Sequence, residues 1–464
     1  MYTFQDYLQD LSMGLDTAVK SVISHHKADK DYMVALDADN YDRQQNTTIS
    51  NYVKTIYTRD GRTQADTYSL NSKLCSNFFT RLNTQRMTYS LGNGVDFEDD
   101  SIKAKLGSDF DTKLRTAGYY ALIHGVSFMF WNVDHVHVFP LTEFAPLWDE
   151  ETGALRAGIR YWQIDDKKPI VAVLYEEDGF TRLMKRKDSA FYEIVEPKRP
   201  YRMSISQAEA DAEPEIVAEE NYSELPIIPV YASRLKQSTL IGMKGQIDAY
   251  DLIRSGFAND LNDCSEIYWI ITNAGGMDDK DLLKFRNRLK NHVVNVEDAD
   301  GVNVTPYTQE LPYTSRKEFL ADLRSGIYED FGALDIHTIS AGATNDHIDA
   351  GYQPLDENAD DYEYEIIQAV QNLLRLQNID ATPIFKRNRI SNQKETVEMV
   401  MSCRDVLDDE TILSKLPFIT TDEVKDILER KDEEDFNRWN NPEEQPKEPE
   451  EDDSKVNLDE NMDR

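Results

Sequence analysis

The histidines of this sequence are the first candidates for metal or acid–base chemistry, and their spacing favours neither. His135 and His137 alternate, as on a strand, and His25 and His26 are adjacent. Neither pair belongs to an HExxH motif or has cysteines at the spacing of zinc ligands. We therefore interpret all four as surface or packing residues and predict no metal site.

The three cysteines exclude a disulfide framework. Cys75, Cys264 and Cys403 are odd in number and far apart, with no CxxC pair among them. A small number of widely spaced cysteines is typical of proteins in a reducing compartment. The chain also begins without a basic segment followed by an apolar one, and its most apolar stretch, 117–131, is too short to span a bilayer. We expect a cytoplasmic protein with no signal peptide and no membrane contact.

Nucleotide-binding loops are missing from the sequence. There is no GxxxxGK[ST] motif, and the glycine pairs at 92–94 and 275–276 lack the rest of a dinucleotide fingerprint, so turns are the better interpretation. Carboxylates are so abundant that a pair of them indicates nothing without geometry. We predict no catalytic residues and no cofactor, with a soluble acidic enzyme kept as the alternative.

The charge balance restricts the partners. Against 51 Lys and Arg stand 86 Asp and Glu, a net charge of −35. Such a surface repels phosphate, which argues against a conventional DNA-binding protein and against adhesion to anionic lipid. The length of 464 residues suggests about three structural units.

The hydrophobic periodicity predicts a mainly helical N-terminal part followed by strands. A helix is expected over 68–89, ending at Leu91–Gly94, and the alternating runs between 127 and 201 predict an antiparallel sheet. The acidic stretch 207–221 is interpreted as a surface loop.

Two long helices are predicted around a small α/β insertion. The first, at 237–263, has a narrow seam in steps of three and four, and the second has a similar stripe from Leu320 to Leu334. Between them we expect a strand at 267–272, a helix at 278–290 and a strand at 292–296. The seam suits packing between helices of adjacent subunits, with an ordinary core helix as the alternative.

Beyond the second helix, the Gly-, Asn- and Asp-rich stretch 335–358 predicts a loop, and 363–377 a helix. Helix starts are predicted at Asn392 with Glu395, at Asp408, and at Thr420 with Glu423. The charged stretch 442–464 is expected to be disordered.

An ordered set of motifs resembles the portal proteins of tailed bacteriophages, of the siphovirus type. A short proline-bounded strand, Leu225–Val230, precedes a helix with the signature Ile247–Asp251, Ser255 and Asn259–Asp260. Segments 117–161, 387–398 and 409–423 are similar to further family patterns in the same order. The resemblance covers roughly residues 50–435.

The resemblance implies an α+β, mainly helical portal fold. Its expected parts are a wing (1–236), a two-helix stem (237–263 and 315–334), an α/β clip (264–314), a tunnel loop (335–358), a spine helix with a helical crown (359–435) and a disordered acidic tail (436–464).

The resemblance also implies function. About twelve copies of a portal protein form a ring at one capsid vertex of the virion. Double-stranded genomic DNA passes through it during packaging and ejection, without sequence specificity. Its partners are the packaging ATPase (terminase large subunit), a head–tail adaptor, and the major capsid and scaffolding proteins, with assembly in the host cytoplasm. Another ring-forming virion protein is a further alternative.

Residue roles follow from the same resemblance. The predicted tunnel-loop residues are Asp335, His337, Asn345, Asp346, His347 and Asp349. Those predicted to dock a partner at the clip are Lys284, Arg286, Arg288 and Lys290, a pattern that also suits simple stabilisation of the helix dipole. Those predicted to pack the stem are Leu240, Met243, Ile247, Tyr250, Phe257, Leu261, Leu323 and Ile327.

Overall fold

The computed structural model describes most of the chain up to residue 431. The described residues are 2–57, 60–67, 69–206, 215–265, 268–272, 280, 303–307, 313–338, 344–389, 393–404, 407–416, 424 and 427–431. The chain divides into two compact units, Met1–Ile336 with Gly351–Arg389, and His337–Ala350 with Ile390–Arg464.

In the part of the chain that the structure describes, helices dominate before residue 125 and after residue 312. Those before the long insertion are α1 (Phe4–Leu11), α2 (Leu15–Ala28), α3 (Lys30–Asp42), α4 (Thr47–Ser50), α5 (Phe78–Leu91), α6 (Asp100–Lys105), α7 (Phe110–His124) and α8 (Leu240–Ser265). Those after it are α9 (Tyr313–Phe331), a 3-10 turn (Ile336–Thr338), α10 (Asn345–Arg375), α11 (Gln393–Ser402) and α12 (Asp409–Lys415).

The strands form small antiparallel sheets. Their bounds are β1 (Thr55–Tyr57), β2 (Thr63–Ala65), β3 (Val95–Asp96), β4 (Val126–Asn132), β5 (His135–Pro140), β6 (Phe144–Trp148), β7 (Leu155–Trp162), β8 (Ile170–Glu176), β9 (Gly179–Lys185), β10 (Glu193–Arg199), β11 (Arg202–Ser206), β12 (Glu215–Glu220), β13 (Ile227–Tyr231), β14 (Tyr268–Thr272), β15 (Asn303–Tyr307) and β16 (Ile384–Phe385). The larger sheets have the orders β10-β9-β8-β7-β6 and β13-β4-β5, and β1-β2, β11-β12, β14-β15 and β16-β3 are pairs.

Local sequence explains the helix ends that orient α8. Gly125 ends α7 with φ +89°, a conformation that favours glycine. A Cβ at this position would lie 2.7 Å from the backbone of Gln237, so only glycine lets that segment approach. The N–H of Thr239 then donates to the carbonyl of Leu122 at 3.1 Å, which fixes the start of α8 against the end of α7.

Four apolar clusters make the core of the first unit. One lies between the two larger sheets and is rich in aromatic rings, such as Phe128 and Phe144, whose centroids are 4.5 Å apart. A second joins α1 and α2 to the five-stranded sheet, a third joins α7 and α10 to β4 and β13, and a fourth joins α3, α5, α8 and α9. The mixture of helices with antiparallel sheets confirms the predicted α+β class.

Several predicted elements are confirmed. The long helix at 237–263 is α8, the strands between 127 and 201 are antiparallel, and a helix starts after Asp408, whose carboxylate accepts the N–H of Thr411 at 3.1 Å. The strand at 267–272 corresponds to β14, which pairs with β15, a strand that the sequence did not predict. The predicted helix at 278–290, apart from Lys280, the strand at 292–296 and the tail lie outside the described residues.

Three predictions of local structure are wrong. The helix expected over 68–89 begins only at Phe78, and residues 70–77 belong to no helix or strand. The loop expected over 207–221 contains β12 at 215–220, paired with β11. The loop expected over 335–358 is helical from Asn345 onward.

The helix α10 forms despite Pro354 because its buried face is continuous. A proline removes one backbone hydrogen bond from a helix interior. The side chains that compensate are at most 3% exposed and recur every three or four residues, at Tyr352, Leu355, Ala359, Tyr362 and Ile366.

Candidate functional site

The first half of the predicted seam on α8 is part of the core of its own chain. Leu240, Met243 and Ile247 are 1%, 5% and 0% exposed, and they pack with Ile327 and Phe331 of α9. The alternative of an ordinary core helix therefore describes this half, and these side chains are not available to an adjacent subunit.

The second half of the seam is more exposed. The ring of Tyr250 meets Phe78 edge-on at 5.0 Å, and Phe257 lies 5.6 Å from Tyr313 between ring centroids. Leu261 is 50% exposed. Leu323 on α9 is half-buried. This end of the α8–α9 pair has apolar surface left over for another partner.

The side of α8 next to the apolar seam carries buried polar side chains at a spacing of four. Asp251, Ser255 and Asn259 are 0%, 2% and 7% exposed, and we call these three residues the polar ladder. The large majority of buried polar groups have hydrogen-bond partners, because an unpaired one costs about 1–3 kcal/mol.

The partners of the polar ladder are backbone N–H groups of the extended segment 72–76. The helix and the segment run antiparallel, and every second N–H of the segment meets every fourth side chain of the helix. The bonds join Ser76 N–H to Asp251 (2.9 Å), Leu74 N–H to Ser255 (3.0 Å), and Ser72 N–H to Asn259 (2.8 Å).

The repeat distances of the two elements explain the match. Four residues of an α-helix rise about 6 Å. Two residues of extended chain rise about 6.6 Å. The two spacings agree well enough for three successive bonds, and the polar ladder therefore fixes both the register and the direction of residues 72–76.

A second group of hydrogen bonds attaches α4 to the same end of α8. Asp248 accepts from the hydroxyl of Thr48 at 2.7 Å and from Tyr41. Asn46 donates to Asp251 and also to the carbonyl of Ser76 at 3.2 Å. Asp251 thus joins α4, α8 and the 72–76 segment.

Hydrogen bonds and one lysine stabilise these carboxylates. Burial raises the pKa of Asp251, while the hydrogen bonds from Asn46 and Ser76 act in the opposite direction. Lys244 lies 3.0 Å from Asp37 and 3.7 Å from Asp248. The carboxylate, hydroxyl and amide oxygens of the polar ladder accept hydrogen bonds from the chain itself, so this cluster holds three segments together.

The sequence identified this site in part. Asp248, Asp251, Ser255 and Asn259 belong to the signature that carries the family resemblance, but the pattern alone assigned them no contact. Their partner segment was predicted to be helical, and no local signal in 72–76 indicated otherwise. A polar stripe beside the apolar seam was the available signal, and the sequence analysis drew no structural conclusion from it.

The predicted tunnel-loop residues lie in two different units. Asp335 is in the first unit, where its carboxylate pairs with Arg324 at 2.8 Å and its side chain is only 12% exposed. His337 lies in the 3-10 turn. Asn345, Asp346, His347 and Asp349 lie in the first turns of α10, in the second unit. The predicted clip residues Lys284, Arg286, Arg288 and Lys290 lie outside the described residues.

Arg387 is the centre of an ion-pair network with α10. Its guanidinium contacts Asp356 and Glu363, each at 2.9 Å, and also Asp360. The hydrogen bonds with Glu363 are the main reason that the pKa of Arg387 is raised. Arg389 shares Asp356 and donates to the Tyr89 hydroxyl at 2.8 Å. This network ties the segment after β16 to α10.

The histidine pairs have local partners. His135 and His137 lie with their Nε2 atoms 3.0 Å apart, and the Nδ1 of His135 is 2.6 Å from Asp134. The Nδ1 of His26 is 2.9 Å from the hydroxyl of Tyr161. Among the residues that the structure describes, no three His, Cys, Asp or Glu side chains meet in a way that could hold a metal ion.

Comparison with known proteins identifies a family. A family model described as phage portal protein, SPP1 Gp6-like, matches residues 33–436. The portal protein of Bacillus phage SPP1 is 23% identical over 399 residues, which is 79% of this chain and 77% of that protein. The portal protein of Clostridium phage phiCD119 is 27% identical over 214 residues, 44% of this chain and about half (48%) of its relative.

Solved structures with a similar chain come from gene transfer agent (GTA) particles. A chain of the virion of the native GTA particle has a TM-score of 0.44 at 8% identity, covering 72% of this chain and 88% of that one. A chain of the neck of the empty GTA particle, computed with C6 symmetry, has a TM-score of 0.44 at 9% identity, covering 78% and 96%. Within the described part of the chain, no helix is both long and apolar enough to cross a membrane.

Proposed function

Because this chain belongs to the SPP1 Gp6-like family of phage portal proteins, we propose that it forms a ring of about twelve copies at one vertex of the capsid. The ring is the channel through which the double-stranded genome enters during packaging and leaves during ejection. Its role is structural, with no catalysis of its own. The observation that carries this proposal is the family match over residues 33–436, which includes almost every described element.

The α8–α9 pair supports assembly into a ring. At the end remote from the core, large apolar side chains are about half-exposed: Leu261 at 50%, Tyr313 at 54% and Phe319 at 49%. Adjacent copies in a ring meet through two different surfaces, and packing of one helix pair against the next buries such side chains. We assign the stem to this pair and the wing to residues 1–236.

The charge of the chain suits a channel better than a binding site. Each contact between a lysine and a phosphate releases a counterion, binds the duplex and hinders sliding. A net charge of −35 instead repels DNA from the protein surface. We propose that Asp346, His347 and Asp349 of α10 face the tunnel and contribute to this repulsion.

The partners of the ring follow from the same proposal. Residues 264–314 form the clip, where Lys284, Arg286, Arg288 and Lys290 dock the packaging ATPase (the terminase large subunit) and later the head–tail adaptor. Residues 359–435 form the spine helix and crown. The ring is assembled in the host cytoplasm with scaffolding and major capsid proteins.

Measurement of the mass of the purified full chain by size-exclusion chromatography with light scattering tests the proposal. We expect a particle near twelve subunits, and negative-stain images with a central hole. A monomer or dimer at every protein concentration and ionic strength would contradict the ring and favour the alternative of a soluble acidic enzyme.

A further inference from the structure

Residues 52–70, which we call the arm, contain the two paired strands β1 and β2, and no other sheet or helix covers these strands among the residues that the structure describes. Its strands pair antiparallel, with Ile56 opposite Gln64, and all six residues of β1 and β2 are exposed. A two-stranded hairpin is at best marginally stable on its own in water. The arm therefore depends on something outside its own two strands.

The exposed side chains of the arm are unusually apolar. Tyr57 is 81% exposed, the most among the large apolar side chains that the structure describes in the arm. The others with large exposed apolar side chains, among the described residues of the arm, are Tyr52 (44%), Val53 (56%), Ile56 (37%) and Leu70 (49%). A cluster of exposed apolar residues within one short segment indicates a surface for a protein partner.

Both ends of the arm are fixed to the same place. On one side the polar ladder holds Ser72 and Leu74, and on the other Asp248 and Asp251 hold α4 through Thr48 and Asn46. Buried hydrogen bonds of this kind hold the segments that they join in a single arrangement. The two ends of the arm therefore have a fixed position on α8. This suits a segment that must reach a partner's surface at a defined distance from the helix.

The arm and its base are locally basic in an acidic protein. Residues 52–73 contain four cations against two carboxylates, whereas the whole chain carries −35. The charged residues of this stretch are Lys54, Arg59, Asp60, Arg62, Asp66 and Lys73. Charges of opposite sign across an interface favour the correct partner and orientation.

We infer that the arm docks onto the acidic surface of the next copy of this chain. A second copy supplies the acidic surface that the basic arm needs, and an arm on one copy with its receiving surface on another is a head-to-tail contact, which closes into a ring. The exposed Tyr57 and Ile56 fit a protein surface better than phosphates. This inference rests on the proposed function, because it requires the ring.

Photocrosslinking of the full chain tests the inference. The photoreactive residue benzoylphenylalanine replaces Tyr57, the purified ring is irradiated, and the products are separated under denaturing conditions and mapped by mass spectrometry. The matched control carries the same group at Ile164, which is 83% exposed in the turn between β7 and β8. We expect covalent dimers and larger ladders from position 57, and little interchain product from position 164.

The outcomes separate the two proposals. If the chain forms no ring before irradiation, the proposed function fails. If rings form but position 57 gives only intrachain products, or no more interchain product than position 164, the arm does not reach the next copy and the inference is overturned. Crosslinking to added duplex DNA in place of a second chain would also overturn it, in favour of a nucleic-acid contact.

A second variant gives a thermodynamic measure. Tyr57→Asp places a charge on the apolar arm, and because the side chain is exposed, the fold of one subunit should be unchanged. We expect the protein concentration at which rings dissociate to rise by about tenfold, the equivalent of about 1.4 kcal/mol per contact. Ile164→Asp should leave that concentration unchanged, and equal effects of both substitutions would contradict the inference.

Discussion

The backbone N–H of Ser76 donates to the carboxylate of Asp251 at 2.9 Å, across 175 residues of sequence. The carboxylate is fully buried and also accepts from Asn46. One side chain of α8 therefore determines where two other segments of the chain lie. The first prediction concerns this contact.

Asp251→Ala should lower the free energy of unfolding by about 3 kcal/mol, because it leaves the donors of Ser76 and Asn46 buried without an acceptor. Thermal unfolding measures the effect, and limited proteolysis within the arm should become faster. Arg254→Ala, at an exposed position of the same helix, is the control. If both variants unfold at the same temperature as the parent, the contact contributes no stability.

The two halves of the seam on α8 should respond differently to a buried charge. Ile247→Asp should prevent folding of the subunit, because the side chain is 0% exposed and a charge there costs several kcal/mol. Leu261→Asp should leave the far-UV circular dichroism unchanged and abolish the ring, since Leu261 is half-exposed in one subunit. Phe257→Asp should also prevent assembly. Full rings formed by Leu261→Asp would show that the outer half of the seam is not an interface.

Stability should fall with acid through His26. Burial lowers the pKa of His26 to about 4 in the folded protein, despite the opposing charge of Asp29. In the unfolded state the imidazole has a pKa of about 6.5. Between pH 6.5 and pH 4 only the unfolded state is protonated, so the free energy of unfolding decreases as the pH falls through this range, by up to about 3 kcal/mol. His26→Gln should therefore reduce the difference in unfolding temperature between pH 7 and pH 5.

The neighbouring His25 provides the control for this prediction. It is exposed, and His25→Gln should keep the pH dependence of the parent. An unchanged pH dependence in His26→Gln would mean that other groups cause the loss of stability in acid.

Removal of the cation at position 387 should destabilise the first unit in a way that depends on salt. Arg387→Ala leaves Asp356, Asp360 and Glu363 facing one another, and their repulsion is screened at high ionic strength. We expect a loss of about 1–3 kcal/mol at low salt and less at high salt. Arg387→Lys should recover only part of it, because lysine cannot contact several carboxylates with a planar fork. The test is to measure the unfolding temperature of each variant at low and at high salt. A decrease in unfolding temperature that is the same at both would contradict the electrostatic explanation.

The hydrophobic periodicity correctly predicted those helices and strands that depend mainly on residues close to one another in the sequence. The helix at Leu240–Ser265 and the strands between 127 and 201 are present as predicted, because a repeat of 3.6 or 2 residues is decided by neighbours in sequence. The motifs also indicated the family, which the match over residues 33–436 confirms.

Elements that depend on distant contacts were predicted wrongly. α10 includes Pro354 and polar residues that favour a loop, and its helix is stabilised by burial of Tyr352, Leu355 and Tyr362 in the core. In the other direction, residues 72–76 lie in a stretch with a helical pattern but form no helix. The N–H groups of Ser72, Leu74 and Ser76 bond instead to side chains of α8.

The sequence by itself determined the family, the α+β class and the position of the long helix, since composition, motif order and hydrophobic period are properties of the chain alone. Tertiary structure alone decided that Asp251, Ser255 and Asn259 lie inside the protein and that half of the seam belongs to the core of one subunit. The physical reason is that the sequence around a polar residue looks the same whether its side chain faces water or a buried backbone N–H group. Which of the two it meets depends on the segment that the fold brings to it, here one about 180 residues away.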